Sequence, residues 1–157
     1  MTGGMDTTPK KSQPQPSSMN TTPKKAQPHP SKRIPPAPGI FNRSLSAGPI
    51  VPLQVLAFRV EPETMSSWVT LHQDLIPGET DYHKRDRFWR VIGRYLPPGC
   101  NQLCVVNIDN CLVTCIVVAS NRNKEELEQA RDVGKIEYAR YVLDLDDPPR
   151  WYRPVKA

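Results

Sequence analysis

Four cysteines are the side chains whose spacing first suggests chemistry. Cys100, Cys104, Cys111 and Cys115 fall in the symmetrical pattern Cys-x3-Cys-x6-Cys-x3-Cys. Such thiols could hold zinc or exchange a disulfide. Zinc sites, however, take paired ligands at tight turns, whereas these cysteines alternate along apolar stretches with Val and Ile as neighbours. They read as core thiols, with a Cys104 to Cys115 disulfide or redox pair as the alternative, and no metal or cofactor ligand is assigned.

Three histidines complete the stock for catalysis. His29 lies in a proline-rich tail and His72 on the apolar side of a helix pattern, while His83 sits near Asp81 and Asp86 and ahead of a run of basic residues. That last grouping could make an acid/base or phosphate site. No glycine-rich phosphate loop, nucleophile elbow or paired metal carboxylate accompanies it. No residue is therefore assigned a catalytic role, and an enzyme of unknown reaction is the third reading. Asp144, Asp146 and Asp147 read as a strand end with a solvated acidic turn.

The elements that must position these groups centre on residues 102–118. Leu103 to Ile108 and Leu112 to Val118 are apolar strand candidates separated by Asp109-Asn110, two residue types that tolerate the left-handed backbone of a two-residue hairpin turn. That register places Ile108 opposite Cys111, Val106 opposite Val113 and Cys104 opposite Cys115. Cys104, Val106, Ile108, Cys111, Val113, Cys115 and Val117 then share one face, and Leu103, Val105, Leu112, Thr114, Ile116 and Val118 the other. Both faces are apolar, which predicts a central hairpin covered on both sides.

Before the hairpin, Leu53 to Val60 reads as a strand with Leu56, Phe58 and Val60 on one face. A helix follows from Pro62, with Met65, Trp68, Val69, His72, Leu75 and Ile76 at helical spacing until Pro77-Gly78. A second helix is predicted over about His83 to Leu96. Its wheel puts Phe88, Val91, Ile92 and Tyr95 on one arc and Lys84, Arg87, Arg90 and Arg94 on the adjoining one. After the hairpin, Asn123 with Glu126 makes a capping box for a helix through about Val133, ended by Gly134, and Tyr138 to Leu145 reads as a last strand.

The order is β-α-β-β-α-β with an extra helix in the first crossover. The expected class is therefore α+β, in the ferredoxin-like split arrangement with a four-stranded antiparallel sheet. RNA-recognition domains share this order but stack bases on aromatics of the two central strands, and Leu112 to Val118 has none. A sheet face bearing Leu103, Val105, Leu112, Ile116 and Val118 needs a cover. A second copy, another protein, or the chain's own Trp151-Tyr152 segment could supply it.

Composition divides the chain. Its eighteen prolines crowd the first third, and residues 1–48 are built from Pro, Ser, Thr, Gln and Lys, too poor in apolar side chains to offset the entropy of ordering. They are expected to be a disordered tail, with one α+β domain over residues 49–157. Within the tail a fourteen-residue unit is duplicated, each copy carrying Thr-Pro-Lys-Lys. Thr8 and Thr22 suit proline-directed kinases, and the element resembles the Ser/Thr-Pro-Lys-Lys repeats of linker-histone tails. The tail has seven basic side chains against Asp6 alone, so the net charge of +5 resides there. Lys32 to Pro38 also matches the spacing accepted by polyproline-binding grooves.

No apolar run reaches membrane-spanning length and no secretory segment opens the chain, so a nuclear or cytoplasmic location is expected. The leading functional reading is a non-enzymatic protein-interaction module that binds a protein partner or forms a homodimer, through Leu103, Val105, Leu112, Ile116, Val118, Trp151 and Tyr152, under a phosphorylatable tail. The alternative is nucleic-acid binding through Lys10, Lys11, Lys24, Lys25, Lys84, Arg87, Arg90 and Arg94, weakened by phosphate at Thr8 and Thr22.

Overall fold

The computed structural model describes residues 1, 3–4 and 34–155. Its elements run β1 (Val55–Arg59), α1 (Pro62–His72), α2 (Asp81–Val91), β2 (Gln102–Ile108), β3 (Cys111–Ser120), α3 (Lys124–Gln129), α4 (Val133–Val142) and β4 (Arg150–Tyr152). The strands form one antiparallel sheet in the order β2-β3-β1-β4. The protein is thus α+β, with a four-stranded antiparallel sheet and helices in both crossovers.

The hairpin has the register expected of a two-residue turn. Asp109 and Asn110 both take left-handed backbone, with φ of 51° and 64°. Ile108 faces Cys111, Val106 faces Val113 and Cys104 faces Cys115. The hairpin is not central, however: β3 is an inner strand but β2 is an edge.

On one side of the sheet, Leu56, Phe58, Ile116 and Val118 meet Met65, Trp68 and Val69 of α1, Phe88 of α2, and Ile136 and Ala139 of α4. Trp68 ties these helices together. Its ring lies edge-on to Phe88 and Tyr95 at 5.5 and 5.4 Å, and its Nε1–H donates to the carbonyl of Val142 at 2.7 Å. A buried indole keeps its donor satisfied this way, so Trp68 holds α1, α2 and α4 in one layer.

The second half of the chain departs from the pattern read in the sequence. Residues 138–145, expected as a strand, belong to α4 and its cap. Ile136, Ala139 and Leu143 recur at helical spacing and all are fully buried, so the apolar period is that of a helix. Gly134, expected as a stop, lies inside α4, and Asp132 caps the helix by accepting from the Lys135 N–H at 2.9 Å. Half of the predicted capping box forms: Asn123 Oδ1 accepts from the Glu126 N–H at 2.8 Å, while the Glu126 carboxylate accepts from the Ser120 hydroxyl, and α3 ends at Gln129, short of the expected Val133. Asp144, with φ of 54°, ends α4 in the left-handed conformation, while Asp144 and Leu145 donate back to Tyr141 and Arg140 at 3.1 Å each. The acidic turn is a helix stop, and the last strand is instead Arg150–Tyr152, paired with Val55 to Ala57.

The first helix also ends earlier than its apolar spacing suggests, at His72, leaving Leu75 and Ile76 exposed in the following loop. Arg87 explains this. Its guanidinium donates to the Asp74 carbonyl at 3.0 Å and pairs with Glu79 at 2.6 Å, holding residues 74–79 as a loop against α2.

The domain reaches further back than residue 48. Asn121, fully buried, donates to the carbonyls of Gly39 and Pro52 at 2.9 and 3.0 Å and accepts from the Gln54 N–H at 2.7 Å. The Phe41 N–H donates to the Asn121 carbonyl at 2.7 Å, and Ile34 packs on the helix-side core. Ile34, within the 32–38 motif, is therefore half-buried against this chain's own core.

Candidate interaction surface

What covers the other face of the sheet is the chain itself. Val55, Ala57, Val106, Cys115 and Val117 form a second buried cluster, packed by Cys104, Ile108, Val113 and Tyr152. Beyond β4 the chain crosses to the free edge of β2. There Pro154 forms an antiparallel bridge with Val106, and the Val155 N–H donates to the Val105 carbonyl at 2.9 Å. In a flat sheet β4 and β2 would lie three strand spacings apart, about 14 Å. Two residues from Tyr152 to Pro154 span roughly 7 Å at most. The sheet is therefore curled, bringing its outer strands together around the second cluster.

This closure settles the position of the C-terminal aromatics. Trp151 packs against the helix-side core and Tyr152 against the inner cluster, both half-buried in β4. They cover their own sheet. Burial raises the Tyr152 hydroxyl pKa above the ordinary phenol range, with the Cys115 thiol adding to the shift.

Of the remaining residues expected at an exposed sheet face, Ile116 and Val118 do not belong there. They are 0% and 2% exposed beneath the helices, because the helix layer lies over exactly that end of β3. The layer does not extend to β2 or to the hairpin tip. Leu103, Val105 and Leu112 are left 52%, 44% and 69% exposed. They share the helix-facing side of the hairpin with the half-buried Thr114 and the exposed Asn107, the ladder partner of Leu112, and the two strands carry no charged residue on that face. A small cavity of about 50 Å³ beside Leu103 is lined by Trp89, Ile92, Gly93 and Leu96. Trp89, half-buried on α2, thus borders the strip. The sequence did signal it, since Trp89 stands three positions before the buried Ile92.

The basic flank of α2 is largely occupied. Arg87 is locked to Glu79, whose side chain is only 7% exposed; Arg90 pairs with Asp86 at 2.6 Å, and Lys84 leans toward Asp81 at 3.9 Å. Arg94 is exposed. Three of the four flank cations are therefore paired with nearby carboxylates, Glu79 of the preceding loop and Asp81 and Asp86 of the helix itself. The other nucleic-acid-contact candidates, Lys10, Lys11, Lys24 and Lys25, lie outside the described residues, as do Thr8, Thr22 and His29.

His83 is not joined to its neighbouring carboxylates. Its Nδ1 lies 3.0 Å from the Thr80 hydroxyl that caps α2, while Asp81 and Asp86 face Lys84 and Arg90. His72 stacks on Trp68 at 4.9 Å. The four cysteines do not converge on one site either. Cys100 is buried in the helix-side core, Cys104 and Cys115 lie in the inner cluster, and Cys111 is exposed beside the turn.

Two further concavities carry charged side chains. A groove of about 570 Å³ between α1 and α2 is lined by Glu63, Ser66, Thr70, Asp81, Lys84 and Arg85, charges of both signs with no net preference. A pocket of about 230 Å³ holds Ser120, Glu126 and Lys135, but the Ser120 hydroxyl donates to Glu126 and the Lys135 ammonium to Gln129 Oε1 at 3.1 Å and the Val118 carbonyl at 3.3 Å. These groups brace α3 and α4 against β3.

No protein-family model, curated protein or solved structure matches the chain. No helix among the described residues is long and apolar enough to cross a membrane.

Proposed function

We propose that this protein is a non-enzymatic interaction module that associates with a second copy of itself through Leu103, Val105 and Leu112, bordered by Trp89. The element order, with two helices in each crossover, and the strand arrangement β2-β3-β1-β4 support reading the domain as a ferredoxin-like split arrangement with an extra helix in both crossovers. One observation carries the functional reading. On a single face of β3, Ile116 and Val118 are sealed by helices while Leu112 beside the hairpin turn stands 69% exposed, and Leu103 and Val105, further along β2 on the same face, are exposed with it.

Large aliphatic side chains left exposed along one face lose hydration cost only when another surface meets them, at roughly 25 cal/mol per Å². The adjoining cavity of about 50 Å³ is far below the ~300 Å³ of a small-molecule site, so a flat protein surface is the fitting occupant. An uncharged apolar strip is also self-complementary: packed on its own copy by two-fold symmetry, it buries no charge. The tail, with acceptors Thr8 and Thr22, would then regulate a module whose binding surface is elsewhere on the chain.

Amide NMR spectra of the full chain recorded across a dilution series test this. Concentration-dependent shifts should concentrate at Leu103, Val105, Leu112 and Trp89. Shifts confined to other surfaces, or none at all, would contradict it.

A further inference from the structure

The inner cluster contains a pair of groups that the interaction reading does not use. Cys104 and Cys115 are direct partners in the β2–β3 ladder, and both pack in the cluster behind Tyr152. Antiparallel partners stand about 4.5–5.5 Å apart between Cα atoms. A disulfide accepts about 4.4–6.8 Å. Paired same-face side chains therefore fall within disulfide range, and both thiols are free. Neither other cysteine can substitute: Cys111 faces Ile108 beside the turn, and Cys100 lies in the core on the opposite side of the sheet.

We propose that Cys104 and Cys115 form a thiol–disulfide site within the hairpin, closed by reaction with a low-molecular-weight disulfide such as glutathione disulfide. The half-buried Cys104 is the entry point, since Cys115 is fully buried. The Cys104 thiolate attacks one sulfur of glutathione disulfide, forming a mixed disulfide and releasing one glutathione thiolate, which takes up the proton Cys104 lost. Cys115 then gives up its proton and attacks the Cys104 sulfur, expelling the second glutathione. Two protein thiols become one disulfide, and one glutathione disulfide becomes two glutathiones.

Burial raises the pKa of both thiols, that of Cys115 to about 12, with Cys104 adding to the shift. Arg59 opposes this rise and Glu61 adds to it, so the balance at Cys115 favours the thiol. The exchange is therefore slow near neutrality and quickens as the pH rises, because only the thiolate attacks.

The test uses the full chain, folded, incubated with glutathione disulfide. Remaining thiols are alkylated and the chain is cut before Asp109 by an Asp-specific protease, which parts Cys104 and Cys115 into separate peptides. The expected result is a reducible cross-link between those peptides at Cys104 and Cys115, with Cys100 and Cys111 alkylated. Cys104→Ser, at the half-exposed position, should abolish the cross-link while leaving the circular dichroism spectrum unchanged. A cross-link that uses Cys100 or Cys111, glutathione retained on Cys104 without closure, or closure only in denaturant would overturn the proposal; the wild-type map alone decides among these should a variant misfold.

Discussion

Pro154 pairs with Val106 across the edge that β2 would otherwise leave open. A proline there blunts the edge: it offers no N–H, and the one donor that follows, Val155, is spent on the Val105 carbonyl. Ending the chain after Tyr152 should remove this bridge and expose the inner cluster. Urea unfolding is expected to show a loss of about 1–2 kcal/mol, with a rise in aggregation on storage. Ending it after Pro149 should cost several-fold more, because Trp151 and Tyr152 leave both cores.

Asn121 holds residues 39–54 to the end of β3 through its side-chain amide. Asn121→Ala leaves two carbonyls and one N–H without partners in a buried site. A destabilisation of about 2–4 kcal/mol is expected. Limited proteolysis should show the new cuts first within residues 39–52. Cleavage unchanged there would mean that the segment is held by other contacts.

Glu79 and Arg87 contrast with Asp86 and Arg90. Both pairs stand at 2.6 Å, but Glu79 is 7% exposed whereas Arg90 is 74% exposed. Removing one partner of a buried pair strands a charge and costs about 3–5 kcal/mol. Breaking the exposed pair costs ~0.5 kcal/mol or less. Arg87→Ala should therefore lower the urea midpoint far more than Arg90→Ala. Equal effects would mean that solvent reaches the Arg87 site.

Cys115 gives the fold a pH dependence of defined sign. Burial, reinforced by Cys104, raises its pKa from 9.0 to about 12. Between those values the unfolded chain has lost a proton that the folded chain keeps, so stability falls as pH rises through this window and is untouched below it. The slope approaches ~1.4 kcal/mol per pH unit at most. Urea titrations at several alkaline pH values should show a shallower decline for Cys115→Ala than for the wild type.

Local interactions made much of the structure legible. Asp109-Asn110 set the hairpin register, and the Asn123 N-cap set the start of α3, because each is decided within a few residues. The reading went astray where distant partners decide. Residues 138–145 hold Tyr, Val and Leu in a strand-like run, and only the burial of Ile136, Ala139 and Leu143 reveals the helical period. The early end of α1 depends on Arg87, thirteen residues beyond the Asp74 carbonyl that it binds. The exposed strip was half legible. Alternation placed Leu103, Val105 and Leu112 on one face with Ile116 and Val118, but how far the helix layer extends along that face is a tertiary fact. Closure of the sheet by Pro154 and Val155 had no local signal, since three residues after a short strand carry no periodicity.

The most direct test of the interaction reading is the solution mass of the full chain by light scattering, for the wild type and for Leu112→Lys. Leu112 is 69% exposed, so the substitution should leave the fold intact while placing a charge at the turn end of the strip. The account predicts a wild-type mass of twice the 17.8 kDa chain at high concentration and a single-chain mass for Leu112→Lys. A wild-type protein that stays monomeric throughout, or a dimer unaffected by the substitution, would contradict it.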